Sequence, residues 1–352
     1  MDSRQFEYRQ DLDALHFTEE QKSLLAERVS AAVKQAVPRR RHPVRRIVVL
    51  AAAAAMALMV GAGAAGGLGT VSEIFAPIFG GSVAQTEVIN KIGRPVGASD
   101  TDNGITITAD AIIGDKYNAC VVFTIRRDDG TALLPEGVDA RNLLMGGFGG
   151  VTVNTPGGSH GSAWFLTDPA DPAAVQLVEA LSSDRPMTGS TAAVEFEDLC
   201  RWDDVSGEAV PVAEGHWKFR FRMDYEDSSV TLGGGETFEQ GSMTFTIDEI
   251  TVSPVAVQVS YVVDSEVQWS NAPSGREAPA DARQVERYLE NVEILLTKTD
   301  GTVIDLSSSG GSIKPENGVT VCTKGGVMEE IIPLEELASI SVGGVVYDIP
   351  QA

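Results

Sequence analysis

Basic side chains are scarce in this 352-residue chain: Lys and Arg number 27 against 50 Asp and Glu, for a formal net charge of −23. An anionic excess of that size excludes nucleic-acid backbone binding by the bulk of the chain, because phosphates are held by cations. Cysteine is nearly absent, with only Cys120, Cys200 and Cys322. An odd number of thiols allows at most one internal bridge and rules out a disulfide framework. Cys120 lies in an apolar strand-like stretch, where a buried thiol behaves as a small hydrophobe. Three unpaired thiols are therefore expected, with a Cys120–Cys200 bridge as the alternative. Histidine is equally thin, at four residues. Neither His160 nor His216 has further His, Cys or Asp at ligand spacing, so no metal and no cofactor is expected. Glycine, by contrast, is plentiful, with 36 residues making up about a tenth of the chain against a usual ~7%. That surplus, with 43% hydrophobic residues, points to a packed, turn-rich, mainly β protein.

Charge divides the chain. Residues 1–46 carry a net +3 and the remainder −26. Between them runs Ile47 to Leu68, IVVLAAAAAMALMVGAGAAGGL, 22 residues with no charged side chain. As a helix this run reaches roughly 33 Å, enough to cross a ~30 Å hydrocarbon core. Directly before it stand Arg39, Arg40, Arg41, Arg45 and Arg46. Positive charge beside a span stays on the cytoplasmic side, which puts the N-terminus inside and the acidic remainder outside. A cleaved signal peptide has a short n-region and an apolar core of 7–15 residues. The long leader and longer core here favour an uncleaved anchor, and a soluble buried helix would not need the arginine cluster. Gly63 and Gly67 form a small-xxx-small pair that would let two such helices pack closely.

The inner arm reads as a helix. Thr18 with Glu19, Glu20 and Gln21 forms a capping-box pattern, and Leu25, Val29, Ala32, Val33 and Ala36 follow at helical spacing. Pro38 ends it. An arm this short builds no core of its own. Its apolar face, with Leu25, Val29 and Val33 as the candidate partner-binding residues, would be covered by a second copy, the bilayer surface or a cytosolic protein. Alternatively, the helix simply extends the anchor.

Beyond the anchor the expected organisation is a helical linker over 69–96, a first β domain over 97–235 and a second over 242–350, both sandwich-like. Phe75 and Phe79 suit the outer membrane interface, while Val88, Ile89 and Ile92 would pack on the following domain. Strands are expected from Gly104 onward, among them Val151–Val153, Ala192–Leu199 and His216–Tyr225. In the last, Trp217, Phe219, Phe221 and Met223 alternate with Lys218, Arg220 and Arg222. Pro172 to Leu181, opened by Asp171, reads as a helix. MTFTIDEITVSPVAVQVSYVVD repeats the order of ITITADAIIGDKYNACVVFTI, and Asp300-Gly301-Thr302 matches Asp129-Gly130-Thr131. This internal repeat implies two related units.

The order of basic-flanked span, FAPIFG and KIGRPVGASDTDNGITITADAIIGDKYNACVVFTI resembles the bacterial family called domain of unknown function 4179, over roughly Phe17 to Ile349. The Met243 to Ile349 unit is similar to the immunoglobulin-like module found behind it. Some members of the family are labelled anti-sigma factors. The resemblance implies that the Asp11 to Val37 arm grips a sigma factor and that the outer domains report an envelope signal. It brings no catalytic residues. The zinc class of anti-sigma factor, with its His-x3-Cys-x2-Cys site, does not apply, because the arm has His16 and no cysteine. The chain also contains no Asn-Pro dipeptide for self-cleavage.

Two local patterns touch on chemistry. Gly157-Gly158-Ser159-His160-Gly161 matches G-x-S-x-G, but a nucleophile elbow needs a helix directly after the serine, and Ser162-Ala163-Trp164-Phe165 is not one. Asp100, Asp102 and Asn103 resemble the start of a calcium loop that lacks its closing Glu; a turn before the first strand is expected instead. The expectation is a non-enzymatic single-pass membrane signalling protein with a sigma-factor partner and no direct nucleic-acid contact. An anchored binding or adhesion module is the alternative.

Overall fold

The computed structural model describes residues 70–154, 159–167, 171–203, 205–270 and 278–351. The arm and the apolar run lie outside the described residues, and with them Leu25, Val29, Val33, Arg39, Arg40, Arg41, Arg45, Arg46, Gly63 and Gly67. The chain divides into two compact units, 1–65 and 66–352, and every element below belongs to the second. It is mainly β, built from antiparallel sheets. Among the described residues no helix is long and apolar enough to cross a membrane.

Two short helices come first, α1 (Val71–Phe79) and α2 (Val83–Ile92). Each opens on a reciprocal cap. Thr70 Oγ1 accepts from Glu73 N while Glu73 returns a carboxylate to Thr70 N, and Ser82 and Gln85 repeat the pattern. Such boxes satisfy N–H groups that have no partner inside a helix.

The first half holds β1 (Arg94–Asp102), β2 (Ile105–Gly114), β3 (Asn118–Arg127), β4 (Leu143–Val153), β5 (His160–Leu166), β6 (Ala174–Ser182), β7 (Thr191–Asp203) and β8 (Glu208–Arg222). They form one sheet in the order β1-β2-β3-β6-β5 and a second, β4-β7-β8. The sheets share a core in which Ile107, Phe123 and Leu177 from the first meet Val194, Phe196 and Trp217 from the second. On one side the sandwich is sealed by carboxylates: Asp100 and Asp102 of β1 accept the main-chain N–H groups of Lys218 and His216 in β8.

The second half holds β9 (Val230–Leu232), β10 (Thr237–Gln240), β11 (Met243–Val252), β12 (Ala256–Val263), α3 (Pro279–Val285), β13 (Ile294–Lys298), β14 (Val303–Asp305), β15 (Gly311–Glu316), β16 (Val319–Val327), β17 (Leu337–Val342) and β18 (Val345–Asp348). One sheet runs β10-β11-β12-β16-β15, with β9 also on β11, and the other runs β14-β13-β17-β18. Phe245, Tyr261, Ile294, Leu296 and Ile340 fill the space between them. Lys324 of β16 is fully buried, and its ammonium donates to the carbonyls of Leu289, Glu290 and Val292 at the end of the α3 segment.

The repeat has a geometric counterpart. The β2–β3 pairing slips between Ala109 and Ala111, and the β11–β12 pairing slips between Ile247 and Glu249. A bulge therefore sits at Asp110 in one half and at Asp248 in the other. The two Asp-Gly turns share a conformation, with φ +73° at Gly130 and +87° at Gly301, though Gly130 follows β3 and Gly301 joins β13 to β14.

Several expectations fail. Residues 174–182 are strand β6, not a helix; β6 is held between β3 and β5, and ladders on both sides outweigh the helix propensity of its Ala, Gln, Leu and Glu. The first strand begins at Arg94, ahead of Gly104, and Asp100 and Asp102 lie on it, not before it. Phe75 and Phe79 are not at a surface: they are 0% and 3% exposed, because α1 is covered by protein. The expectation of three unpaired thiols, by contrast, holds: Cys120, Cys200 and Cys322 are free and buried, and the alternative Cys120–Cys200 bridge is not formed.

Candidate functional site

The sheet β1-β2-β3-β6-β5 is apolar on both faces at one end. Along β2 the pattern alternates for four residues and then stays buried to Gly114. A strand reads this way when both its faces are covered. The inner face meets the first core. On the outer face, Ala111, Ile113, Cys120, Val122 and Val178 form a third core with Ile74, Phe75, Phe79, Ile89 and Ile92 of the helical hairpin, and with Val255, Ala256 and Ile331 of the second half. The hairpin packs on β2 and shares one core with residues of the second half. Val88 is partly buried at its edge, as the spacing with Ile89 and Ile92 leads one to expect. Gly93 carries the chain out of α2 so tightly that a Cβ there would lie 2.8 Å from both Ile89 O and Val71 Cγ1. Beyond it, Arg94 pairs with Glu226 at 2.9 Å.

A polar seam borders this joint. Asp115, in the β2–β3 turn, is fully buried. Its Oδ1 accepts from Tyr117 N, Asn118 N and Asn118 Nδ2, and its Oδ2 accepts from Ser253 Oγ at 2.7 Å, across the boundary between the halves. Ser253 lies in the equivalent β11–β12 turn. Asn118 in turn accepts from Ser182 Oγ. Lys116 and Tyr117 both reach Glu249 of β11, at 3.1 and 2.8 Å, and Gln258 Nε2 donates to Ser183 O. Burial pushes the Asp115 carboxyl above its usual range, against the opposing pull of Ser253, Tyr117 and Asn118. A buried network with its partners in place fixes geometry rather than reactivity.

Asp110 stands apart. Burial raises its carboxyl to about 7, opposed by the Thr124 hydroxyl at 2.6 Å and by the charge of Arg126. Its Oδ1 is buried without a partner. Glu179 on β6 is likewise raised to about 7 by burial. A shallow cleft of about 330 Å³ lies on the second sheet, lined by Gly149, Gly150, Thr152, Glu195 and Glu197. Lys218 and His216 hold Glu195 below its ordinary range, so the cleft is anionic. Among the described residues no three His, Cys, Asp or Glu converge on a metal-sized position.

The other sequence candidates disperse. Ser159 is followed by strand β5 where an elbow requires a helix, and Gly157 and Gly158 lie outside the described residues. Cys120 belongs to the third core, whereas Cys200 lies beside Gly146 on the second sheet. The seam residues Asp115 and Ser253 were not singled out by the sequence patterns. The hairpin had a readable signature in its T-x-x-E and S-x-x-Q caps.

With the joint in view, comparison with known proteins adds one match to a family. Residues 43–127 match the model of a family described as a domain of unknown function (DUF4179). The matched stretch ends on the last residue of β3, so it holds the hairpin and the strands β1 to β3. No curated protein matches. A crystal structure of a conserved domain protein from Bacillus anthracis is similar at 15% identity and a TM-score of 0.46, covering 71% of this chain and 76% of that one.

Proposed function

We propose that this chain is a single-pass membrane signalling protein, non-enzymatic and anti-sigma-like. Its N-terminal arm lies in the cytoplasm, and its β halves form one extracytoplasmic reporter. The observation that carries this reading is the burial of α1 and α2, next in sequence to the apolar run, between both halves. A ligand that shifts either half acts on the segment through which the chain leaves the reporter. The arginine cluster 39–46 and the uncharged run 47–68 support the anchor and its orientation. The facing sheets of each half fit an immunoglobulin-like reading. The sigma-factor partner rests on the family resemblance and on the helical spacing of Leu25, Val29 and Val33 in the sequence.

The test is a tagged full-length chain purified from its own membranes. Co-purification of a sigma factor, lost in Leu25→Asp/Val29→Asp while membrane insertion persists, supports the reading. If the β halves are cut by protease on intact cells and no sigma factor is recovered, the chain is instead an anchored binding or adhesion module without a transcriptional role. Recovery of the chain in the soluble fraction sinks both.

A further inference from the structure

Most open strand edges among the described residues are blunted against pairing with another chain. Strand β1 carries Pro95 and a bulge, and on β8 the N–H groups of His216 and Lys218 are taken by Asp102 and Asp100. Strand β4 is broken by two register shifts among its glycines. Strand β15 ends on Lys314, Pro315 and Glu316, and β9, β10, β14 and β18 are three or four residues long. Short length, charge, proline and bulges are how proteins keep sheet edges from associating.

Strand β5 has none of these. It pairs with β6 in unbroken register from His160↔Ser182 to Leu166↔Gln176 and pairs with no other strand among the described residues. Its sequence, His-Gly-Ser-Ala-Trp-Phe-Leu, contains no proline and no Asp, Glu, Lys or Arg, and its first five residues are all exposed. Trp164 is among the few large apolar side chains left open, at 36%. This uncharged edge lies in a part of the chain that carries a net −26 over residues 47–352.

We propose that β5 is a homodimerisation edge, where two copies of this chain pair their β5 strands antiparallel about a two-fold axis at Ala163. The sequence is self-complementary about that point. Gly161 faces the second copy's Phe165, Ser162 faces its Trp164, and His160 faces its Leu166. The exposed Trp164 ring is therefore opposed by a small residue, the second copy's Ser162, on the same sheet face, a cross-strand pair that leaves room for the ring, while Phe165 stays in the first core. Two strongly anionic chains approach with least repulsion through an uncharged edge, and the small residues allow close backbone contact. The inference does not rest on the signalling reading, since it requires only the sheet.

The experiment uses the full-length purified chain with a single added cysteine, oxidised by copper-phenanthroline, which takes two electrons and two protons from a pair of thiols to form the disulfide. The unmodified chain, whose cysteines are buried, reports the background. Directly opposed antiparallel positions bring Cα atoms to about 4.5–5.5 Å, within the roughly 4.4–6.8 Å that a disulfide spans. Ala163→Cys is expected to give at least tenfold more covalent dimer than Val303→Cys, an exposed control on β14. Adding Ser162→Pro to Ala163→Cys should return the yield to the control level, because proline interrupts ladder pairing. Equal yields from Ala163→Cys and Val303→Cys would overturn the proposal. So would a dimer that survives Ser162→Pro, or capture in cells of a protein of a different mass in place of a second copy.

Discussion

Asp110 and Asp248 hold the same place in two copies of one motif, each inside a bulge of a strand pair that leads into a tight turn. Yet Asp110 is 2% exposed, while Asp248 lies open to solvent. The difference comes from outside the motif. The first pair is covered on its outer face by α1, α2 and the second half, whereas Asp248 sits between the stretches of β11 that pair with β10 and with β9. Similar local sequence thus acquires a buried, partly unsatisfied carboxyl in one copy and a solvated one in the other. The part of the chain that makes this difference is the hairpin beside the apolar run.

The largest test of that asymmetry removes the cover. Phe75 is 0% exposed in the third core, and truncation of a buried aromatic costs about 3–5 kcal/mol. Phe75→Ala should speed hydrogen exchange across residues 71–92 and the end of β2, while amides of β13 and β17 keep their protection. Equal loss in β13 and β17 would mean that the halves unfold as one and would break the comparison. The converse test lies in the second half. Lys324→Met leaves the carbonyls of Leu289, Glu290 and Val292 without their buried donor. A loss of about 2–4 kcal/mol is expected by urea titration, with the earliest exchange in α3 and β16.

The paired aspartates make a sharper test through pH. The Asp110 carboxyl ionises near 7 in the fold against 3.8 without it, so across that window the folded chain holds more protons than the unfolded one. Stability from this group is full below about pH 4 and falls as pH rises through 7. Asp110→Asn should therefore gain about 4 kcal/mol over the parent at pH 8 and little at pH 4. Asp248→Asn should follow the parent at both values. Denaturation midpoints at the two pH values settle it, and matching gains at Asp110 and Asp248 would remove the distinction between the halves.

Much of the fold was legible because alternation along a strand records which face is buried. Trp217, Phe221 and Met223 are core residues of the first half, and Gly343 and Gly344 turn β17 into β18 at positive φ. What escaped was whatever depends on sequence-remote cover. β6 reads as a helix because nothing local reveals the ladders on either side of it. Phe75 and Phe79 read as interfacial because a short apolar helix looks the same whether lipid or protein covers it. The Asp115–Ser253 contact joins turns 138 residues apart, and each turn alone is unremarkable in sequence. The arm and its apolar face lie outside the described residues, so the partner-binding residues remain expectations.

The smallest effect is also the cleanest check that the halves are copies. Gly130 and Gly301 sit at φ +73° and +87°, and each follows an Asp whose Oδ1 accepts from a threonine N–H, Thr131 at 2.9 Å and Thr302 at 2.8 Å. A Cβ added at either position meets nothing within 4 Å. The cost of Gly→Ala is therefore conformational alone, about 1 kcal/mol for a residue held at positive φ. Gly130→Ala and Gly301→Ala should lower stability by equal amounts, each in its own half. A marked inequality would show that the two turns, alike in hydrogen bonding, are under different strain.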